Sequence, residues 1–249
     1  MAGHSKWASI KHKKAIVDSR RGQAFTKLAR AITVAARDGG GDPSMNATLG
    51  LAVQKAKDAS MPKDNIERAI ARGTGEGGDA AAIETVLYEG YGPGGVALLV
   101  EALTDNRNRT GANVRHAFSK GGGSLGEPGS VAYLFDKKGV VLVDGGKYTE
   151  DDLLGAIEAG ADDVVVDGDL IEVICEPSSL TEVREALASD DIEITSFELQ
   201  YRPSVRAPLD EDQTRSLMKL IDTLEADDDV SEVHANFDVD DEILERVMG

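Results

Sequence analysis

Residues 139–200 read GVVLVDGGKYTEDDLLGAIEAGADDVVVDGDLIEVICEPSSLTEVREALASDDIEITSFELQ, and this stretch decides the fold. Runs at 140–143, 164–166, 170–175 and 192–199 are rich in Val and Ile and bounded by Gly, Asp and Ser, which is the composition of strands. After Thr149 and again after Ser179 the apolar residues recur at helical spacing instead. Thr149 with Asp152 resembles a capping box and Ser179 with Glu182 is one, so two helices are expected to start there. Asp167-Gly168 supplies a tight turn between the middle strands. The resulting order, β-α-β-β-α-β, is the ferredoxin-like arrangement.

On the N-terminal side of this unit, strand-like runs at 85–88 and 96–103 are joined by Gly90-Tyr91-Gly92-Pro93-Gly94-Gly95. A helix is expected over 110–119, then a glycine-rich mobile loop at 121–129 and a strand at 131–135. On the C-terminal side, Leu217, Leu220, Ile221 and Leu224 mark a helix, and a strand follows at 233–237. These two flanks complete each other and not the central unit. The expected architecture is therefore α+β, with a ferredoxin-like domain at 138–201 inserted into a discontinuous α+β domain of 79–137 and 202–249.

Residues 1–78 read as a separate helical domain. Phe25, Leu28 and Ile32 share one face of a helix over 22–37, while Lys27, Arg30 and Arg37 share another, with Arg20 and Arg21 at its start. Gly39-Gly40-Gly41-Asp42-Pro43 breaks it. Asn46 can cap a second helix carrying Leu49, Ala52, Val53 and Ala56. A third follows Pro62, with Ile66, Ala69 and Ile70 inward, Arg68 and Arg72 outward, and Gly73 as its stop. A glycine-rich linker is expected from there to Asp79.

Charge divides the chain in the same place. The first 37 residues hold 9 Lys and Arg against the single acid Asp18, in a chain of formal charge -18. Through Arg72 the count is 14 basic to 6 acidic, and the remainder holds 13 basic to 39 acidic residues. An acidic protein with a concentrated basic head suits one face that meets polyanions, and the remainder repels them. Aromatic residues make up 4% of the chain, so widespread base stacking is excluded and the cores must be aliphatic. The one cysteine, Cys175, excludes an internal disulfide and reads as a buried strand residue. With no apolar run long enough to span a membrane and no secretory signal pattern, a cytoplasmic protein that does not engage membranes is expected.

His4-Ser5-Lys6-Trp7 and Lys11-His12-Lys13-Lys14 gather cations around one large ring, a set suited to phosphate oxygens. Trp7 is placed either to stack on a base or, as the preferred reading, to dock on the helical core. The bland alternative for the whole segment is a solubilising arm. Arg107, Arg109 and Arg115 form a second cluster at the start of a helix, where free N–H groups also favour anions, against the alternative of ion pairs with the abundant acids. Two G-x-G-x-x-G matches, at 73–78 and 121–126, follow helices and lead to strands, the reverse of a dinucleotide site. G-x-S-x-G at 122–126 has Ser124 in the wrong order of elements for a hydrolase elbow. His4, His12, His116 and His234 form no metal-ligand spacing, so neither a metal nor another cofactor is expected.

Met1-Ala2-Gly3-His4-Ser5-Lys6-Trp7, Lys11-His12-Lys13-Lys14, Gly39-Gly40-Gly41-Asp42-Pro43, Tyr88-Glu89-Gly90-Tyr91-Gly92-Pro93-Gly94-Gly95, Leu103-Thr104-Asp105-Asn106-Arg107-Asn108-Arg109 and Gly129-Ser130-Val131-Ala132-Tyr133-Leu134-Phe135 resemble the YebC/PmpR family from end to end. The resemblance implies a three-domain α+β protein with a helical N-terminal domain and without known enzymatic activity. Bacterial members are described as probable DNA-binding transcriptional regulators, mitochondrial relatives as translational activators, and ribosome-linked roles are also attributed to bacterial members. One departure is Ala47, where proline is expected in many relatives. The chain is accordingly expected to be a non-enzymatic nucleic-acid-binding regulator, acting on duplex DNA or alternatively on structured RNA or the ribosome, with no small-molecule substrate. A module that only binds a basic protein is the third reading.

Overall fold

The computed structural model describes residues 21–76, 83–167 and 169–248. It begins with three helices, α1 (Arg21–Gly39), α2 (Ala47–Asp58) and α3 (Lys63–Thr74). Strands β1 (Glu84–Tyr91) and β2 (Ala97–Thr104) lead through α4 (Arg107–Lys120) and the short β3 (Ser124–Leu125) to the long β4 (Phe135–Asp144). The chain continues through α5 (Leu154–Glu158), β5 (Ala161–Asp167), β6 (Leu170–Cys175), α6 (Leu180–Ser189) and β7 (Ile194–Pro203). It ends with β8 (Ala207–Pro208), α7 (Glu211–Glu225), β9 (Val230–Ala235), β10 (Phe237–Asp238) and α8 (Asp241–Met248).

The three N-terminal helices close one aliphatic core from Ile32, Ala35, Leu49, Val53, Ala56, Ile66 and Ala69, with Phe25, Leu28, Ala52 and Ile70 at its margin. Each helix contributes one stripe because its apolar residues recur at three and four. Asn46 ties two of them together. Its Oδ1 accepts the Leu49 N–H at 3.1 Å, and its Nδ2 donates to the carbonyls of Ala35 and Gly40, both at 2.8 Å. Helix α3 does not stop at Gly73; it runs to Thr74 and ends on Gly75, which is left-handed at φ 82. Gly73 is needed for close approach instead, since a Cβ there would lie 2.4 Å from the Thr33 carbonyl oxygen and 2.7 Å from the Ala36 side chain. The expected linker thus begins only after the helix, and its part from 77 to 79 lies outside the described residues.

The central unit has the topology that its pattern implies. Its antiparallel sheet runs β5-β6-β4-β7, the ferredoxin-like order, with α5 and α6 on one face. Val141, Val143, Leu153, Ala156, Ile171, Val173, Leu180, Val183 and Leu187 fill the layer between, together with buried Cys175. Burial and nearby carboxylates push the Cys175 thiol up to about 11, so it is an inert packing residue. The Thr149–Asp152 capping box forms, although the helix opens as a 3-10 turn. The Ser179 box does not: Pro177 starts a 3-10 turn that already holds Ser179 in helical conformation, and its side chain makes no cap.

The other antiparallel sheet runs β3-β1-β2-β9, so β9 returns to β2 across the whole intervening unit. Helices α4 and α7 cover one face, packing Val114, Phe118, Leu217, Leu220 and Leu224 on Leu98, Val100 and Val233. Helix α8, unexpected from sequence, adds buried Leu244 to this core. The expected strand at 131–135 is a 3-10 turn, Ala132–Leu134, with β4 starting only at Phe135. Glu89 is the cause. Its buried carboxylate accepts the N–H groups of Gly129, Val131 and Ala132 at 2.6, 2.7 and 2.7 Å, removing those amides from any ladder.

The same contacts tie down the glycine-rich stretch that reads as a mobile loop. Gly126 N–H also donates to the Glu89 carbonyl at 2.7 Å, Gly123 N–H to Phe118 at 2.8 Å, and β3 pairs with the end of β1. Burial pushes the Glu89 carboxyl up, but the three amides outweigh it and leave it below its ordinary value. Glu89→Gln places an amide NH2 against those donors. We expect a loss of about 2 kcal/mol at pH 7, measured by urea unfolding, that shrinks as acid protonates the wild-type carboxylate.

Candidate nucleic-acid interface

The basic side of α1 is not an open face. Lys27 Nζ donates to the Glu225 carbonyl at 2.6 Å, and Gln23 Nε2 donates to the Ala226 carbonyl at 3.2 Å and to Asp228 Oδ1 at 3.0 Å. These carbonyls lie at the C-terminal end of α7, where the last turn has unpaired acceptors and the negative end of the helix dipole. Arg37 donates to the Ile83 carbonyl and, at 2.8 Å, to Asp38. The spacing that puts cations on one face of α1 therefore also lays Lys27 and Arg30 against an acidic turn some two hundred residues away.

Arg30 reaches the centre of that turn. Its Nη1 donates to the Asp228 carbonyl at 2.8 Å and to Asp229 Oδ1 at 2.5 Å. Arg109, from the first turn of α4, donates to the second oxygen of Asp229 at 2.7 Å and to Asp105 at 2.8 Å. The hydroxyls of Thr110 and Thr104 lie 2.7 and 3.2 Å from that same oxygen. Asp229 is 3% exposed, and each of its two oxygens accepts from an arginine. Burial pushes its carboxyl up, but hydrogen bonds from Arg109, Thr110 and Arg30, with the Arg30 charge, hold it down at about 2.

That shift has a pH signature. A carboxylate lowered from about 3.9 in the unfolded chain contributes stability above pH 4 and loses it as pH falls toward 2. The contribution is about 2–3 kcal/mol. Unfolding free energy should fall across that window in the wild type, and by about that much less in Asp229→Asn, when followed by circular dichroism.

Of the other arginine candidates, Arg107 is largely exposed, with its guanidinium 3.4 Å from Glu84, and Arg115 is exposed on α4. The anion site expected at this helix start is already filled: α4 begins at Arg107, and Asn106 Oδ1 accepts the Arg109 N–H at 3.0 Å. What remains is the outer face of α4. The helix, RNRTGANVRHAFSK, contains no acid, and His116 and Lys120 join Arg107 and Arg115 at its surface. His116 and Lys120 were missed from sequence, where the absence of any acid from Asn106 to Gly126 was the available signal. A cleft of about 260 Å³ runs beside them, lined by Asn113, His116 and Lys120 on one side and Thr223, Ala226 and Asp227 on the other.

Lys55 holds the helical unit to both sheets. Its Nζ is 3.2 Å from Glu198 of β7 and 3.6 Å from Glu232 of β9. Burial pushes the ammonium down, and the two carboxylates outweigh it and raise it above its ordinary value. His4, Lys6, Trp7, Lys11, His12, Lys13, Lys14 and Arg20 lie outside the described residues, and for Arg21 the backbone alone is described. Among the described residues no group of three or more His, Cys, Asp or Glu is placed to hold a metal, and no helix is long and apolar enough to cross a membrane.

Two family models match the chain. The TACO1/YebC protein N-terminal domain covers residues 5–76, and the TACO1/YebC second and third domain covers residues 83–237. A probable transcriptional regulatory protein of Rubrobacter xylanophilus is 55% identical over the full length of both chains. Another of that name, from Thermobifida fusca, is 56% identical over 99% of this chain and all of its own. Among solved structures, the conserved hypothetical protein Aq1575 from Aquifex aeolicus superposes with a TM-score of 0.86 at 46% identity, covering 96% of this chain and 99% of that one.

Proposed function

The chain belongs to the TACO1/YebC family, and on that premise we propose that it is a non-enzymatic, nucleic-acid-binding regulator of gene expression that acts on duplex DNA in the cytoplasm. The names of its relatives support regulation of transcription. The observation that carries nucleic-acid binding is the basic head, 9 Lys and Arg to one acid in 37 residues of a chain with charge -18. His4, Lys6, Trp7, Lys11, His12, Lys13, Lys14, Arg20 and Arg21 are its main contacts. Arg107 and Arg115, joined by His116 and Lys120, form a second contact face. Lys27, Arg30 and Arg37 are assigned to holding the basic head against the acidic body, and Arg109 to fixing Asp229 within that body, because each already has a partner within the chain. The three working units are residues 1–78, 79–137 with 202–249, and 138–201.

A specific observation favours a second reading, structured RNA or the ribosome. Helix α1 spends Lys27, Arg30 and Arg37 on the protein itself, so it does not present a row of cations to a major groove. Contacts spread over an arm and one face of α4 suit backbone and shape recognition. Co-sedimentation of the full chain with ribosomes at about 150 mM salt, with duplex DNA in excess, separates the readings. Release by DNA supports the duplex-binding regulator. Retention despite DNA overturns it in favour of the ribosome.

A further inference from the structure

Residues 138–201 carry 17 Asp and Glu against 3 Lys and Arg, a net charge of -14 in the smallest of the three units. Nucleic-acid binding gives this unit no task, and its charge would repel phosphate. One edge of it is open. Strand β5 pairs with β6 alone among the described residues, so the other side of its backbone offers unpaired N–H and C=O groups. Along that edge, Val166 is 52% exposed, and Leu154 and Ile157 of the adjoining α5 are 58% and 51% exposed. Three of the eight large apolar side chains exposed in the described residues thus gather on one strand and the helix packed against it. Asp151 and Glu158 flank the two helical positions in sequence, Asp163 and Asp169 lie on and beside β5, and all four are exposed.

We propose that this edge is a docking site for an extended, basic segment of a partner protein, which adds to β5 as a further strand. Backbone groups of β5 supply the pairing, Leu154, Ile157 and Val166 take alternate apolar side chains, and the surrounding carboxylates take the cations. Charge selects the occupant. A second copy would bring another unit of charge -14 against the first, and a register shift at Asp162 further disfavours edge-to-edge pairing of identical strands. A basic strand meets neither obstacle. Lys138, whose ammonium is 3.0 Å from Asp162 Oδ2 and also pairs with Glu176, already shows a cation seated at one end of the edge.

The test uses the full chain and an acetylated, amidated heptapeptide of sequence KVKTKVK. Binding is followed by amide chemical shifts and by titration at about 150 mM salt, with two controls. One is the same peptide N-methylated at alternate residues, which keeps its charge and cannot pair as a strand. The other is the Leu154→Ser/Ile157→Ser double variant, changed only at exposed positions. Shifts centred on residues 161–167, with at least a tenfold loss of affinity for the methylated peptide and for the double variant, are expected. Equal binding of the two peptides would reduce the site to diffuse charge attraction and overturn the proposal. So would shifts mapping elsewhere, no binding, or a self-association of the chain that protects the same strand.

Discussion

Replacing Asp229 by Asn should lower the stability of the folded chain by about 3–5 kcal/mol, the range for removing one partner of a buried ion pair. Arg30 and Arg109 come from helices on two different units, and both converge on this one carboxylate. With an amide in place of the carboxylate, the two positive charges stay near the carbonyls of Leu103 and Asp228 and the acid Asp105, with no counter-charge between them and an NH2 group turned toward one of the two guanidinium groups. Urea unfolding measures the loss. Asp38→Asn is the control, because its pair with Arg37 is exposed and should change stability by less than about 0.5 kcal/mol. A small effect at Asp229 would mean that the two arginines find other acceptors, and that the acidic turn is not what seats α1.

Reversing charge at the arm acts on binding and not on folding. Lys13→Glu with Lys14→Glu should weaken binding to duplex or structured RNA by about two orders of magnitude at physiological salt, because two phosphate attractions become repulsions. The loss should be nearly equal for unrelated sequences, as phosphate contacts carry no base information. The unfolding midpoint should not move. Arg30→Met is the informative contrast: its guanidinium is committed to Asp228 and Asp229, so stability should fall and intrinsic affinity should not. If the arm variant kept full affinity, the basic head would be no more than a solubilising segment.

Periodicity alone makes much of the fold legible. Alternation of strand and helix patterns in 139–200 determines the sheet order β5-β6-β4-β7, because a ferredoxin-like unit has one way to pair its strands. The core stripes of α1, α2, α3 and α7 likewise follow from spacings of three and four. Long-range side-chain chemistry was not legible. Nothing local distinguishes Glu89 from any other strand acid, yet its three amide contacts abolish a strand at 131–135. Gly73 has the look of a helix stop, but the approach of Thr33 and Ala36 requires a glycine there, and Gly75 ends the helix. The charge of Lys27 and Arg30 is plain in sequence, whereas the acidic turn that holds them is set by the return of β9 to β2. The candidate site divides in the same way: the basic arm and the arginines of α4 are visible in the sequence, whereas the engagement of Arg109 with Asp229 is visible only in the structure.

The most direct test is the salt dependence of binding of the full chain to a 30-base-pair duplex and to a ribosomal RNA fragment. At least four phosphate contacts from the arm predict a plot of log affinity against log salt with a slope of about -3.5 or steeper on the duplex, reduced by about 2 in the Lys13→Glu/Lys14→Glu variant. A slope near zero, or one that the variant leaves unchanged, would contradict nucleic-acid binding through the basic head.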